Sequence, residues 1–539
     1  MPTIRFPVWT GIAIALFALS LLPLLGITHK EVWGDEILTL IYASGHNSHQ
    51  LFDTLFRSAK PFTSATLHQF FSPVGSITTI IENLLNWYPL QSAPYYTLLH
   101  YWMKPFGNSN AALAALSILF HVASLPACAW FCFELFGSCL TAAIACLFCC
   151  LSPLHVYFAQ EARPYPLWIL IFFLVNAIFL RGLKSRCRAI WILYSALLVL
   201  SFYTSLFALP LFAAHALTFF FSWREGSAAT SPRRFLFSAG AALLLFSPWL
   251  LSFLWNWSRE GHLLHQEVEW MGAFSPGTLL QRLGWNALIL FYSPRNPQYI
   301  EAGEGVNLGL MLPSLLAIVL ILIAVVRTDR DEKGPTRRLL LSLVATNLLP
   351  LLYWDFATGG IRSAIARYIL PSLLAIQIMV ARSLARAIAD HSIAIRQLAG
   401  ALLVILTVTQ LLWMAQSFQR PDQIDFQLAR VKAFLKNEPN SVLLMNIRDY
   451  RRDMAQGGWE MIRGVSLAFD LDPSIRVQRF YPQKKFFFPK GKKVFVYDST
   501  ESLEHLERLH LRTTAVTSDN LWEVINPTDK SLTSTHHTA

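Results

Sequence analysis

The chain has 539 residues, of which 54% are hydrophobic and 14% are charged, and its mean hydropathy is +0.42. Because soluble proteins carry about 25% charged residues, this composition excludes a water-soluble globular protein and favours a polytopic membrane protein. The net charge of +11 would suit a nucleic-acid-binding protein, unless the basic residues are confined to one side of a membrane.

Eleven apolar stretches are predicted to cross the membrane as helices, since a bilayer core needs about 20 residues of helix. They cover residues 8–26, 111–136, 137–158, 164–180, 190–207, 208–222, 236–255, 307–326, 339–354, 368–387 and 397–417. The first has no convincing cleavage site behind it, so we interpret it as a retained anchor and not as a signal peptide. A shorter piece at 278–293 is predicted to be an interfacial or re-entrant helix.

The charges follow the topology that these spans define. With the N-terminus inside, the cytoplasmic segments contain 16 Lys and Arg against 5 acids, whereas the outer membrane-proximal segments contain 10 against 12. This asymmetry is the one that the positive-inside rule describes. The positive surplus therefore indicates orientation in the membrane, and we predict no nucleic-acid partner.

The seven cysteines lie within predicted spans or on the cytoplasmic side, which excludes an external disulfide framework. Cys146, Cys149 and Cys150 resemble a redox or metal motif only in their spacing, because no His or acidic partner stands near them in sequence. Small packing residues are the interpretation that we adopt for them.

The soluble remainder is predicted to be a small extracytoplasmic α/β domain over residues 418–527, followed by a disordered tail, 528–539. Hydrophobic patterning predicts helices at 425–435 and 502–509 and strands at 441–445, 493–497 and 521–525. The membrane domain would then be residues 1–417.

The first outer loop, residues 27–110, is long for a connector and is predicted to contain interfacial helices. Asp35 and Glu36 follow the first span directly, where they are either interfacial acids facing water or part of a functional site. His100 stands among aromatic residues near the end of the loop. A lone His in such a place is more often a hydrogen-bonded structural residue than a metal ligand.

Two further polar segments lie at predicted outer membrane boundaries. Glu161 and Arg163 occupy a very short turn between two spans, as an interfacial ion pair or as part of a site. Arg362 and Arg367 run against the positive-inside trend. They predict either an anionic ligand, since guanidinium groups suit phosphate, or anchoring to lipid headgroups.

In this order, the segments resemble the GT-C superfamily of integral-membrane glycosyltransferases, in particular the bacterial family 39-like group related to protein O-mannosyltransferases and the lipid A aminoarabinose transferase. The matching segments are Trp33-Gly34-Asp35-Glu36, Tyr95-Tyr96-x-Leu98-Leu99-His100-x-Trp102, Gln160-Glu161-Ala162-Arg163-x-Tyr165 and Ala366-Arg367-Tyr368-x-Leu370-Pro371. The resemblance is good over residues 30–210, patchy to 380 and absent beyond 418. Many relatives have His-Pro-Pro-Leu where this chain has Gln91-Ser92-Ala93-Pro94.

The resemblance implies a GT-C fold and transfer of a sugar from a polyprenyl-phosphate carrier, within the cell membrane, to an acceptor on its outer face. Position by position it makes Asp35 the catalytic base and Glu36 a supporting carboxylate, with inversion at the anomeric carbon. It assigns Glu161 to orienting the acceptor or holding a cation, and leaves a divalent cation open. The residues that it implies for the donor and its phosphate are Arg163, Tyr165, Arg362, Arg367, Tyr96 and His100.

Two other classes of protein remain alternatives. A transporter or flippase of lipid-linked glycans would place ionisable residues near the middle of its spans, whereas the predicted spans are nearly free of charge apart from their ends. A non-catalytic membrane scaffold would only present the C-terminal domain. The sugar and the acceptor, whether protein, lipid or glycan, are not indicated by the sequence.

Overall fold

The computed structural model describes residues 6–29, 32–47, 61–87, 91–259, 275–293, 308–419, 426–446, 459–469, 471–480, 492–497, 512–516 and 521–525. Its helices are α1 (Phe6–Ser20), α2 (Gly34–Ala43), α3 (Ser64–Phe70), α4 (Ile77–Trp87), α5 (Ala93–Phe106), α6 (Asn110–Phe136), α7 (Cys139–Leu151), α8 (Pro153–Gln160), α9 (Tyr165–Lys184), α10 (Arg188–Phe202), α11 (Ala208–Arg224), α12 (Pro232–Arg259), α13 (Pro276–Leu288), α14 (Leu308–Asp331), α15 (Gly334–Thr358), α16 (Leu370–Ile388), α17 (Ile393–Gln419), α18 (Phe426–Leu435) and α19 (Trp459–Phe469). Two 3-10 helices lie at Leu22–His29 and Arg362–Ala364, and the strands are β1 (Val442–Asn446), β2 (Arg476–Phe480), β3 (Val494–Tyr497), β4 (Arg512–Ala515) and β5 (Leu521–Ile525).

The apolar helices confirm the predicted multi-span helical fold, while the count of eleven spans stays a prediction. Each of the eleven predicted spans corresponds to a helical segment, and the piece at 278–293 corresponds to α13. Within the described residues, eight helices are long and apolar enough to cross a membrane, or nine if the bent pair α7–α8 is one span. Helices α10 and α11 are shorter, at 15 and 17 residues. The chain is thus a multi-pass membrane protein with a small C-terminal sheet.

The chain divides into two compact units, and the first contains nearly all of the apolar helices. It comprises Met1–Lys30, Leu84–Leu99 and Ser109–Arg420. Pro153, at the first position of α8, lacks an amide hydrogen, and α7 and α8 meet at a bend of 53°. The bend sets the direction in which the chain enters the turn after Gln160.

Ion pairs join helix ends in this unit. Arg382 and Arg386 of α16 contact the acids at and just after the end of α14: Arg382 Nε is 2.8 Å from Glu332 Oε1 and Arg386 Nη1 is 2.9 Å from Asp331 Oδ2. Glu134, the acid inside α6, lies 3.0 Å from Arg181 Nη1. Each acid of these pairs therefore has a guanidinium partner.

The second unit comprises Glu31–Asn83, His100–Asn108 and Pro421–Ala539 and contains a five-stranded sheet in the order β2-β1-β3-β5-β4. Strand β1 is parallel to β2 and β3, whereas β5 is antiparallel to β3 and β4. The predicted strands correspond to β1, β3 and β5 and the predicted helix at 425–435 to α18. The edge strands β2 and β4 and helix α19 were not predicted, and the predicted helix 502–509 and the tail lie outside the described residues.

Part of the first outer loop belongs to this same unit and is bonded to the sheet region. Phe62 pairs with Val477 of β2 through two backbone hydrogen bonds of 2.9 and 2.8 Å. Ser466 of α19 donates a 2.6 Å hydrogen bond to the carbonyl of Val32, just before α2. The outer-loop helix that carries Asp35 is therefore fixed to an element of the C-terminal region.

Candidate functional site

Asp35 and Glu36 lie in the first turn of α2, in the second unit, and both are buried, with exposed fractions of 6% and 1%. The backbone amide of Trp33 donates a 3.3 Å hydrogen bond to Glu36 Oε2, so Glu36 satisfies an amide at the helix start. The partial positive charge at a helix N-terminus also stabilises carboxylates there. Glu36 is thus engaged in starting the helix, which leaves Asp35 as the better candidate for chemistry.

His100 is buried in the same unit, with 1% of its surface exposed. Its Nδ1 lies 2.8 Å from the carbonyl oxygen of Ala43, the last residue of α2. A carbonyl can only accept, so Nδ1 carries the proton and satisfies one of the unpaired carbonyls at the helix end. The structure therefore places His100 against the C-terminal end of α2, where it satisfies a backbone carbonyl. Its predicted role in binding the donor stays a prediction.

The turn after α8, in the first unit, contains Glu161 and Arg163, which are 0% and 3% exposed. Ser117 of α6 donates a hydrogen bond to the Glu161 carbonyl, and the amide of Arg163 donates to the same carbonyl at 2.8 Å. The Arg163 guanidinium lies over the Tyr165 ring, 5.6 Å from its centroid. These three predicted site residues are brought together, and they are enclosed by protein instead of lying open at the membrane surface.

The loop between α15 and α16 is organised around Asp355, a fully buried residue that the sequence did not single out as a site residue. Its two carboxylate oxygens accept hydrogen bonds of 2.7 Å from the amides of Arg362 and Ser363. Arg362 Nη1 lies 3.8 Å from Asp355 Oδ1 and donates to Thr358 Oγ1 at 3.1 Å. A side chain at Gly360 would meet the Arg362 guanidinium. The loop is therefore held closed, with the charge of Arg362 balanced inside it.

Arg367 follows this loop and is half-buried. Its guanidinium lies 5.3 Å from the centroid of the Tyr368 ring, which stacks on Phe207 at 5.2 Å. Asn347 donates a 3.1 Å hydrogen bond to the Tyr368 carbonyl and fixes the backbone at this point. Of the two outer arginines predicted to bind phosphate, Arg367 is the one held at a more exposed position, because Arg362 is turned toward Asp355.

Tyr96, the remaining predicted site residue, is buried in α5 with 1% of its surface exposed and contacts Tyr95 edge-to-face at 5.7 Å. Within the ranges that the structure describes, no group of three or more His, Cys, Asp or Glu side chains is arranged to hold a metal ion.

No family model matches the chain, and no curated protein matches it in sequence. In structure it is similar to ArnT from Cupriavidus metallidurans in the apo state, with 12% identity, 96% of each chain covered and a TM-score of 0.49. It is likewise similar to the same ArnT bound to undecaprenyl phosphate, with 14% identity, 97% of this chain and 98% of that one covered and a TM-score of 0.47.

A third similar structure is the oligosaccharyltransferase from Archaeoglobus fulgidus in the apo form, with 11% identity and a TM-score of 0.49. This similarity covers 87% of the present chain but only 64% of the archaeal one, so the chain spans less than two thirds of the length of that protein. At 11–14% identity and TM-scores below 0.5, these similarities concern the fold alone.

Proposed function

We propose that this protein is a membrane glycosyltransferase that moves a sugar from a polyprenyl-phosphate-linked donor to an acceptor on the outer face of the cell membrane. The observation that carries the proposal is the buried carboxylate pair in the first turn of α2, in which Glu36 caps the helix beside Asp35. Attack on an anomeric carbon needs a base that takes the proton of the acceptor hydroxyl. We assign this role to Asp35.

The reaction would proceed with inversion. A single carboxylate base that activates the acceptor is sufficient for displacement at the anomeric carbon from the face opposite the phosphate. The leaving polyprenyl phosphate develops negative charge as the bond to the sugar breaks, and a fixed guanidinium stabilises that charge. We assign this role to Arg367 in preference to Arg362, because Arg367 is half-buried whereas Arg362 is buried against the Asp355 carboxylate.

The turn with Glu161 and Arg163 is proposed to orient the acceptor or the donor. Both side chains are buried. Because burying an unpaired charge costs free energy, a buried charged group in a protein is usually paired or has a function. The guanidinium of Arg163 lies over Tyr165, a geometry that keeps its planar donors in a fixed direction. The identity of the acceptor would follow from the glycans or glycolipids that disappear when the gene is deleted.

The test is transfer of labelled sugar from polyprenyl phosphate by the purified full-length protein in lipid nanodiscs, with membranes of a deletion strain as the source of acceptor. Asp35→Asn keeps the size of the side chain but removes the base, and we expect a loss of about 10²-fold or more. Asp329→Asn is the matched control, since Asp329 is half-exposed in an ion pair with Arg337. Transfer at the wild-type rate by folded Asp35→Asn protein would overturn the assignment.

The same assay separates the proposal from a flippase. A transporter would move the labelled donor between leaflets without creating a labelled product. Accumulation of label only in the polyprenyl-phosphate fraction, together with a change of leaflet, would therefore reject the transferase. A scaffold would give neither signal.

A further inference from the structure

Four buried thiols lie on two neighbouring helices of the first unit, and for two of them, Cys146 and Cys149, the sequence suggested only packing roles. Cys128 and Cys132 lie on successive turns of α6, and Cys146 and Cys149 lie on successive turns of α7. Two of the four, Cys128 and Cys149, are in contact across the two helices. Cys128 is 0% exposed and Cys149 is 1% exposed.

One pair of these thiols is placed for bond formation. Cys149 Sγ lies 3.8 Å from Cys128 Sγ, so the two sulfur atoms are in van der Waals contact. A disulfide bond is about 2.05 Å long, and the sulfur atoms would need to approach by only about 1.8 Å. The thiol of Cys146 instead donates to the carbonyl of Leu125 at 3.4 Å, which makes it a poorer partner for Cys128.

His155 lies six residues after Cys149, beyond the bend between α7 and α8, and is held in one tautomer. His155 Nε2 lies 2.8 Å from Gln377 Oε1, an amide oxygen that can only accept, so Nε2 carries the proton and Nδ1 does not. Within the described part of the chain, Nδ1 has no hydrogen-bond partner. A nucleophile, a base beside it and a group that orients the base are the parts of an activated cysteine.

We propose that Cys149 and Cys128 are a redox-active pair, which an organic hydroperoxide dissolved in the bilayer oxidises to a disulfide between α6 and α7. In this reaction His155 is the base and Gln377 is the residue that positions it. The oxidant must be apolar because both thiols are buried among membrane-spanning helices, where a charged disulfide such as oxidised glutathione would be costly to place. This inference does not depend on the proposed transferase activity.

The reaction has two steps. His155 takes the proton of Cys149, the thiolate attacks a peroxide oxygen, and the O–O bond breaks; the alkoxide leaves as an alcohol with the proton from His155. Cys149 is then a sulfenic acid. The Cys128 sulfur attacks the Cys149 sulfur, the S–O bond breaks, and hydroxide leaves with the Cys128 proton as water. In total, two thiols lose two electrons, and one hydroperoxide is reduced to an alcohol and water.

The test treats the full-length protein in nanodiscs with cumene hydroperoxide, followed by alkylation of free thiols, proteolysis and mass spectrometry. We expect a peptide pair linked through Cys128 and Cys149, with reduction restoring both thiols. Because this measurement uses the wild-type protein, it does not depend on the folding of any variant. Linkage through Cys132 or Cys146, or no linkage, would overturn the proposal.

Variants test the order of the steps and the role of the base. In Cys128→Ser the reaction should stop at a sulfenic acid on Cys149, which a dimedone probe traps, whereas Cys139→Ser, at an exposed thiol, should leave the disulfide unchanged. His155→Gln should slow disulfide formation by about tenfold or more. His215→Gln is the matched control, since His215 is also fully buried but bonds to Tyr194 and Asn176. Equal rates in the two His variants would show that His155 is not the base.

Discussion

The Asp355 loop gives the sharpest prediction about stability. In Asp355→Ala, two buried amides lose their 2.7 Å acceptor and the guanidinium of Arg362 loses its carboxylate. An unsatisfied buried amide costs about 1–3 kcal/mol, and breaking a buried ion pair by removing one partner costs about 3–5 kcal/mol. These contributions overlap because they share one side chain, so we expect a total loss of about 3–5 kcal/mol in the free energy of unfolding.

Asp355→Asn should cost less than this, about 2–3 kcal/mol, since the amide oxygen still accepts one hydrogen bond while its NH₂ group faces the other backbone donor. The measurement is equilibrium unfolding in mixed micelles, with limited proteolysis of the loop as a local readout. Asp329→Asn, in an ion pair whose side chains are 49% and 47% exposed, should cost less than about 1 kcal/mol.

A double-mutant cycle identifies the cause of the loss. The double variant, with Arg362→Met and Asp355→Asn, should lose less free energy of unfolding than the two single variants lose in sum. The difference, the coupling energy, should be about 1–3 kcal/mol. Additive losses, or an Asp355→Asn variant as stable as Asp329→Asn, would refute the interpretation that the loop is held by this carboxylate.

Three further predictions concern residues around the candidate site. Gly360→Ala should destabilise the protein by about 1–3 kcal/mol, because the added carbon meets the Arg362 guanidinium. Gly400→Ala is the control: the space around Gly400 is open, so this change should be neutral or stabilising by up to about 1 kcal/mol. Both effects are measured in a thermal melt. Arg367→Gln should raise the KM for the lipid donor in the transfer assay with little loss of stability, whereas Arg362→Gln should mainly lower the unfolding midpoint; the opposite pattern would exchange their roles. His100→Ala should cost about 1–3 kcal/mol through the loss of its buried hydrogen bond, and unchanged stability would contradict its supporting position.

Uniform apolarity made the membrane helices predictable, since a stretch without charges has few stable alternatives to a buried helix. The bend before Pro153 divides one predicted span in two, which composition does not reveal. In the C-terminal sheet the strands predicted from sequence are the central, apolar ones. The two missed strands, Arg476–Phe480 and Arg512–Ala515, lie at the edges, where polar residues are tolerated and the alternating pattern is weak.

The residues proposed for the site were suggested by charges that run against their surroundings, as for Asp35 and Glu161. Their partners were not, because the contacts join positions far apart in the chain. His100 bonds to a carbonyl 57 residues away, and Cys149 faces a thiol 21 residues earlier on another helix. Asp355 was visible only as an acid at the end of a span, since its role depends on the chain returning to it seven and eight residues later.

The pairing of Phe62 with strand β2 has a consequence for protein engineering. The C-terminal region is contiguous in sequence from residue 421, yet the compact unit that contains its sheet also takes in residues 31–83 and 100–108. A fragment that begins at residue 421 would leave the edge of β2 without this partner, and an open strand edge is prone to pair with other chains. Exchange of the C-terminal region between homologues would also replace helix α19, whose Ser466 donates a hydrogen bond to the Val32 carbonyl just before α2. We expect such chimeras to keep activity only when the outer-loop segment is exchanged together with the sheet.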